Sequence, residues 1–155
     1  MNNQEVSRQI QKLKALFNRT SEVSAQEVEI QAHWAKYLCV LSAGLLENGL
    51  YELYADFCRR AASPPVVGFA NRFLSRIQNP KTGKFMEVAS SFKNAWGEEL
   101  KSFVENEGRK EAIDAIMAHR HRIAHGKDSD ITIVRLKVYL GKAIDVLEFI
   151  ERQCQ

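Results

Sequence analysis

Proline interrupts this 155-residue chain in only two places, at Pro64-Pro65 and at Pro80, and the long stretches on either side carry no strong helix breaker. Apolar residues in those stretches recur at helical rather than alternating spacing, so the chain reads as all-α. Between roughly Asn3 and Phe17, the residues Val6, Ile10, Leu13 and Phe17 make one apolar stripe on an otherwise polar helix, which must pack on the body or on a partner. Residues 1–23 are therefore read as an N-terminal helix and linker, and 24–155 as the helical domain. Hydrophobic residues at 45% and charged residues at 26% supply a core and exclude disordered and fibrous classes. The length suits one domain with one site.

Ser24 with Glu27 makes a capping-box pattern that opens a second helix, a spine running as far as Ala62 through Ile30, Trp34, Leu38, Leu41, Leu45 and Phe57. Gly44 and Gly49 inside it each cost about 1 kcal/mol of helix propensity relative to alanine, so they mark a kink or a close helix approach. Pro64 and Pro65 then restart a shorter helix, about Pro65 to Gln78, with Val67, Phe69, Phe73, Leu74 and Ile77 as its apolar positions. Asn79 to Gly83 reads as a loop reaching solvent. Short helices follow near Phe85–Ala95 and Gly97–Asn106. The next, Glu107 to His125, has Ala112, Ile113, Ile116, Met117, Ile123 and Ala124 as its inner face and Gly126 as its C-terminal cap. A connector, Asp128 to Ile131, leads to a last helix that Thr132 begins.

A formal charge of +3 permits a nucleic-acid partner without requiring one. Cys39, Cys58 and Cys154 are odd in number and widely spaced, which argues for reduced thiols rather than a disulfide framework or zinc ribbon. The first residues contain no apolar signal core, and the longest nearly apolar run, Tyr37 to Leu46, is too short to span a bilayer. A cytoplasmic protein without a membrane partner is the expectation. Gly-rich phosphate loops are absent, so no nucleotide cofactor is expected.

The segment His119-Arg120-His121-Arg122-Ile123-Ala124-His125-Gly126 holds three of the four histidines and two arginines. Three readings compete for it. Cations at a helix C-terminus complement the macrodipole, so the cluster could be only a cap, although Lys is the more usual cation and capping needs no set of imidazoles. His121 and His125, at i and i+4, could share a metal ion, but the sequence commits no third ligand and a metal is not expected. The third reading is phosphodiester chemistry on RNA, in which an imidazole moves the proton of a 2′-hydroxyl or of the leaving oxygen and a guanidinium neutralises charge at phosphorus. His33, beside Trp34 on the spine, reads as structural.

Arg120-His121-Arg122-Ile123-Ala124-His125 resembles the Arg-x4-6-His pattern, with a polar residue directly after the arginine, of the HEPN superfamily. The spine with Leu45-Leu46-Glu47-Asn48 at its middle is similar to the first long helix of such domains, especially of the subgroup associated with RNA ligases and phosphatases. The resemblance covers about Ser24 to Arg152. It implies an up-and-down helical bundle, here with additional short helices and an N-terminal helix. It also implies a metal-independent endoribonuclease, a homodimer in which two motifs face each other, placed among toxins or antiphage effectors controlled by an antitoxin or other regulatory partner. The alternative is a non-catalytic HEPN-like module that binds RNA or a protein.

Carried onto this chain, the resemblance makes His125 the proton-transfer residue, Arg120 the phosphate ligand and His121 the polar position that orients the pair. Glu47 is the carboxylate expected to fix Arg120 from the facing helix, its competing reading being an exposed helical carboxylate. His119, Arg122 and Lys127 are the candidates for flanking phosphates, or else solvated surface charge. In HEPN toxins silenced by modification of a tyrosine, the motif continues as His-x-Tyr. This chain departs from that, reading His125-Gly126-Lys127.

Overall fold

The computed structural model describes residues 1–23 and 27–155, with positions 21–23 described by their backbone only. The described residues form seven helices and no strand: α1 (Gln4–Val23), α2 (Val28–Ala61), α3 (Pro64–Leu74), α4 (Thr82–Phe92), α5 (Asn94–Val104), α6 (Arg109–Ala124) and α7 (Ile133–Gln153). At 34 residues, α2 is about 50 Å long and is the spine against which α1, α3, α6 and α7 pack. Ser24 of the expected capping box lies outside the described residues. Glu27 is the N-cap of α2 and makes no side-chain cap bond.

One hydrophobic core joins the helices, and the stripe Val6, Ile10, Leu13 and Phe17 is buried in it. The N-terminal helix thus packs on the body, against α2 and α7, and the core does not divide between residues 23 and 24. Glu151 of α7 holds the start of α1: its carboxylate accepts from the amides of Asn2 (2.8 Å) and Asn3 (2.6 Å), while Asn3 Oδ1 accepts from Val6 N. A negative group there satisfies free amides and complements the helix dipole.

Helix directions follow from a few contacts. A Cβ on Gly49 of α2 would lie 2.9 Å from Leu147 Cδ1 of α7, and Arg60 donates to the Cys154 carbonyl, so α2 and α7 run parallel. His119 meets Ser129, whereas a Cβ on Gly108 would meet Lys142, so α6 runs antiparallel to α7 and hence to α2. Gly49 is the close approach that its glycine announced. Gly44, by contrast, has open space where its Cβ would be.

Several boundaries differ from the sequence reading: α1 runs on to Val23 and α3 ends at Leu74 rather than Gln78. The expected loop is there, with Lys81 and Gly83 exposed, but it is tied down at both ends: Pro80 and Thr82 are buried, Glu47 Oε2 accepts from Asn79 N (2.7 Å), and Asp114 Oδ1 accepts from both Thr82 N and Thr82 Oγ1 (2.8 Å each). That carboxylate on α6 caps α4 from outside, which lets α4 begin at Thr82 rather than Phe85. The break between α4 and α5 is the single extended residue Lys93, not Trp96, and Gly97 lies inside α5, where a Cβ would collide with Ser90. Glu107 and Gly108 both have left-handed φ (57° and 67°), so α6 starts after them. Asp114→Ala is expected to lower unfolding free energy by about 2–3 kcal/mol, the scale of hydrogen bonds to a charged acceptor, in guanidinium titration. Asp114→Asn, which keeps an acceptor, is expected to lose less.

Candidate functional site

Helix α6 ends in a two-bond Schellman cap. Gly126 N donates to the Ile123 carbonyl (3.1 Å) and Lys127 N to the Arg122 carbonyl (2.9 Å), with Gly126 at φ 64°. His125 is the C-cap residue (φ −96°, ψ 16°), so the chain leaves the helix immediately after it. The cap thereby fixes the backbone that carries the imidazole one turn beyond His121. A Cβ on Gly126 would meet nothing within 4 Å, so the cost of a side chain there is conformational. Gly126→Val is expected to destabilise by about 1–2 kcal/mol, and Gly126→Asn by clearly less, in thermal or guanidinium unfolding.

The imidazoles of His121 and His125 are exposed, with ring centroids 4.4 Å apart and planes tilted by 58°. Arg120 is half-buried on the same turn and forms no ion pair among the described residues. His119 and Arg122 are committed in part to the α6–α7 connector: His119 Nδ1 lies 2.9 Å from Ser129 Oγ and 3.9 Å from Asp130 Oδ1, and Arg122 Nε donates to the Asp128 carbonyl (2.7 Å). Lys127 is exposed.

Glu47 does not meet Arg120 within one chain. Cys39 Sγ of α2 lies 3.6 Å from the Ile116 carbonyl of α6, and the two helices are antiparallel, so Arg120 is level with about residue 35 of α2. Glu47 lies twelve residues further along, about 18 Å at 1.5 Å per residue, and its carboxylate is occupied by Asn79 N. What does share the end of the bundle with the motif is the first turns of α2. Ile30, His33, Trp34 and Tyr37 line a shallow concavity there, with His33 and Tyr37 exposed. His33, read as structural from the sequence, is thus an exposed side chain on the wall of this concavity.

The cysteines are all free and buried. Burial pushes the Cys39 and Cys154 thiols up to about 12 and also raises Cys58, so none offers a thiolate nucleophile at neutral pH. Among the described residues no group of three or more His, Cys, Asp or Glu is placed to hold a metal ion, and no helix is long and apolar enough to cross a membrane.

Comparison with known proteins adds the decisive observation: a family model described as RiboL-PSP-HEPN matches residues 2–155. The chain belongs to the RiboL-PSP-HEPN family. This is the HEPN subgroup associated with RNA ligases and phosphatases that the motif and spine pointed to, and the all-α fold agrees with it. The matched residues include α1, with its buried stripe, as well as the helices from α2 to α7. HEPN domains generally bind RNA, and membership points to an RNA-related function. No curated protein and no solved structure matched the chain.

Proposed function

We propose that this HEPN protein is a metal-independent endoribonuclease that cleaves RNA by attack of a 2′-hydroxyl, at an Arg/His site completed where two copies of the chain meet. Arg120 beside a pair of exposed imidazoles at one helix end carries this reading. In the reaction, neutral His125 takes the proton of the 2′-hydroxyl as that oxygen bonds to phosphorus. The guanidinium of Arg120 offsets the charge gathering on the phosphoryl oxygens, and the 5′-oxygen leaves with a proton from an acid on the far side. A 2′,3′-cyclic phosphate and a 5′-hydroxyl are the products.

Entering and leaving oxygens lie on opposite sides of the phosphorus in such a displacement. His121 and His125 stand side by side, 4.4 Å apart, at the exposed end of one helix, an arrangement that favours an acid brought from elsewhere. A second copy facing the first supplies the missing acid. The motif end of the bundle supports such pairing through exposed apolar side chains: Val28 (85% exposed), Ile30, Tyr37 and Val134. Arg122 and Lys127 remain exposed there to meet flanking phosphates. Control by an antitoxin-like partner, and service as a toxin or antiphage effector, extend the same reading.

Arg120→Ala tests the proposal. Its rate in single-turnover cleavage of a labelled RNA is expected to fall by about 100-fold or more, the scale of losing one transition-state charge ligand, with the helical circular dichroism unchanged. An unchanged rate would remove the motif from the chemistry. The second reading, a non-catalytic RNA-binding or protein-interaction module, draws on the same exposed cations and expects RNA binding with no cleavage by any variant.

A further inference from the structure

At the other end of α2 lies an apolar groove that the proposed reaction does not use. It has a volume of about 530 Å³ between the end of α2, α3 and the end of α4, and its walls include Phe57, Ala61, Val66, Phe69, Phe73 and Phe92. Three of these are large side chains left in solvent: Phe69 is 76% exposed, Val66 52% and Phe73 39%. They recur at i, i+3 and i+7 along α3, a ridge that suits a second helix laid alongside. The groove begins about 35 Å along α2 from the level of Arg120, so an occupant would not cover the motif.

The charge beside the groove that is left unpaired is basic. From Phe57 to Met86 the chain carries Arg59, Arg60, Arg72, Arg76, Lys81 and Lys84 and no acidic residue, within a protein whose formal charge is only +3. Arg59 and Arg60 are taken up by Glu52 and Asp56, and Lys84 by Glu87. Arg72, Arg76 and Lys93, which follows Phe92, are exposed and have no ion pair among the described residues.

We infer that this groove is a docking site for an acidic amphipathic helix of another protein, which seats apolar side chains between Phe69, Phe73 and Phe92 and sets carboxylates against Arg72, Arg76 and Lys93. A second copy of this chain fits poorly, because a two-fold contact would bring the same cations face to face. Single-stranded RNA fits poorly too, since Ser91 is the one hydroxyl on walls otherwise built of apolar and thiol side chains, and these offer base edges little to bond. The binding energy comes from burying the phenyl rings, and the cations choose the sign of the partner. The site is independent of the proposed ribonuclease chemistry.

Peptide-display selection on the full chain, using random 16-residue peptides with Phe69→Ser as the counter-target, tests the inference. Enriched peptides are expected to carry net negative charge and apolar residues at helical spacing. In fluorescence anisotropy an enriched peptide should bind about 10-fold or more weakly to Phe69→Ser, and likewise to the doubly substituted Arg72→Glu/Arg76→Glu, yet equally well to His125→Ala. Phe69 and both arginines are exposed, so these variants should keep the fold. Absence of enrichment over Phe69→Ser, or enrichment of neutral or basic peptides, would overturn the inference. So would Phe69-dependent binding of a labelled 12-nucleotide RNA or of phosphatidylserine vesicles in place of the peptides, or a dimer that Phe69→Ser dissociates in sedimentation.

Discussion

His125→Ala is expected to slow single-turnover RNA cleavage by about 1000-fold while RNA affinity stays within about twofold. The two effects separate because they rest on different groups. Proton transfer at the reacting oxygen needs the imidazole, and general acid–base catalysis is worth about 100- to 10,000-fold. Affinity for RNA rests on neutralising phosphates, which Arg120, Arg122 and Lys127 do whether or not the imidazole is there. His125 is exposed at the C-cap, and its carbonyl and amide, not its ring, belong to the helix end. Its removal should therefore leave the melting temperature close to that of the parent. The helix-cap reading of the cluster makes the opposite forecast, a small loss of stability and no change in any rate.

The joint substitution Ile30→Asp/Tyr37→Asp is expected to give a monomer in sedimentation and to lower cleavage by about 1000-fold or more at concentrations where the parent is a dimer. Both side chains are solvent-exposed, at 40% and 51%, so the changes spare the core. Two carboxylates per protomer at a two-fold contact would face two more, and like charges across an interface cost several kcal/mol. If the acid comes from the second copy, losing the contact removes it as completely as deleting a histidine does. Wild-type cleavage by a stable monomer of this variant would mean that one chain holds the whole site.

The helices and the motif were legible in the sequence because both depend on local spacing. Val6, Ile10, Leu13 and Phe17 announce a buried stripe without knowledge of what covers it, and Gly126 announces the cap because only the left-handed region satisfies the last carbonyls. Contacts between distant segments were not legible. Asp114 caps α4 from 32 residues away, so nothing near Thr82 signals that a helix starts there. Glu47 faces Asn79 rather than Arg120 because the antiparallel register of α2 and α6 is set by how buried side chains such as Cys39 meet the opposing backbone. Phe69 and Phe73 fall on the helical spacing of a buried face, yet periodicity alone cannot tell a face covered by the chain itself from one left open.

The most direct measurement of the central claim is incubation of the purified chain with mixed-sequence RNA in excess chelator, beside His125→Ala, followed by end-group analysis of the products. Cleavage by the parent alone, leaving 2′,3′-cyclic phosphate and 5′-hydroxyl ends, is the predicted result. Cleavage that persists undiminished in His125→Ala, or that vanishes with the chelator and returns with a divalent ion, would contradict it.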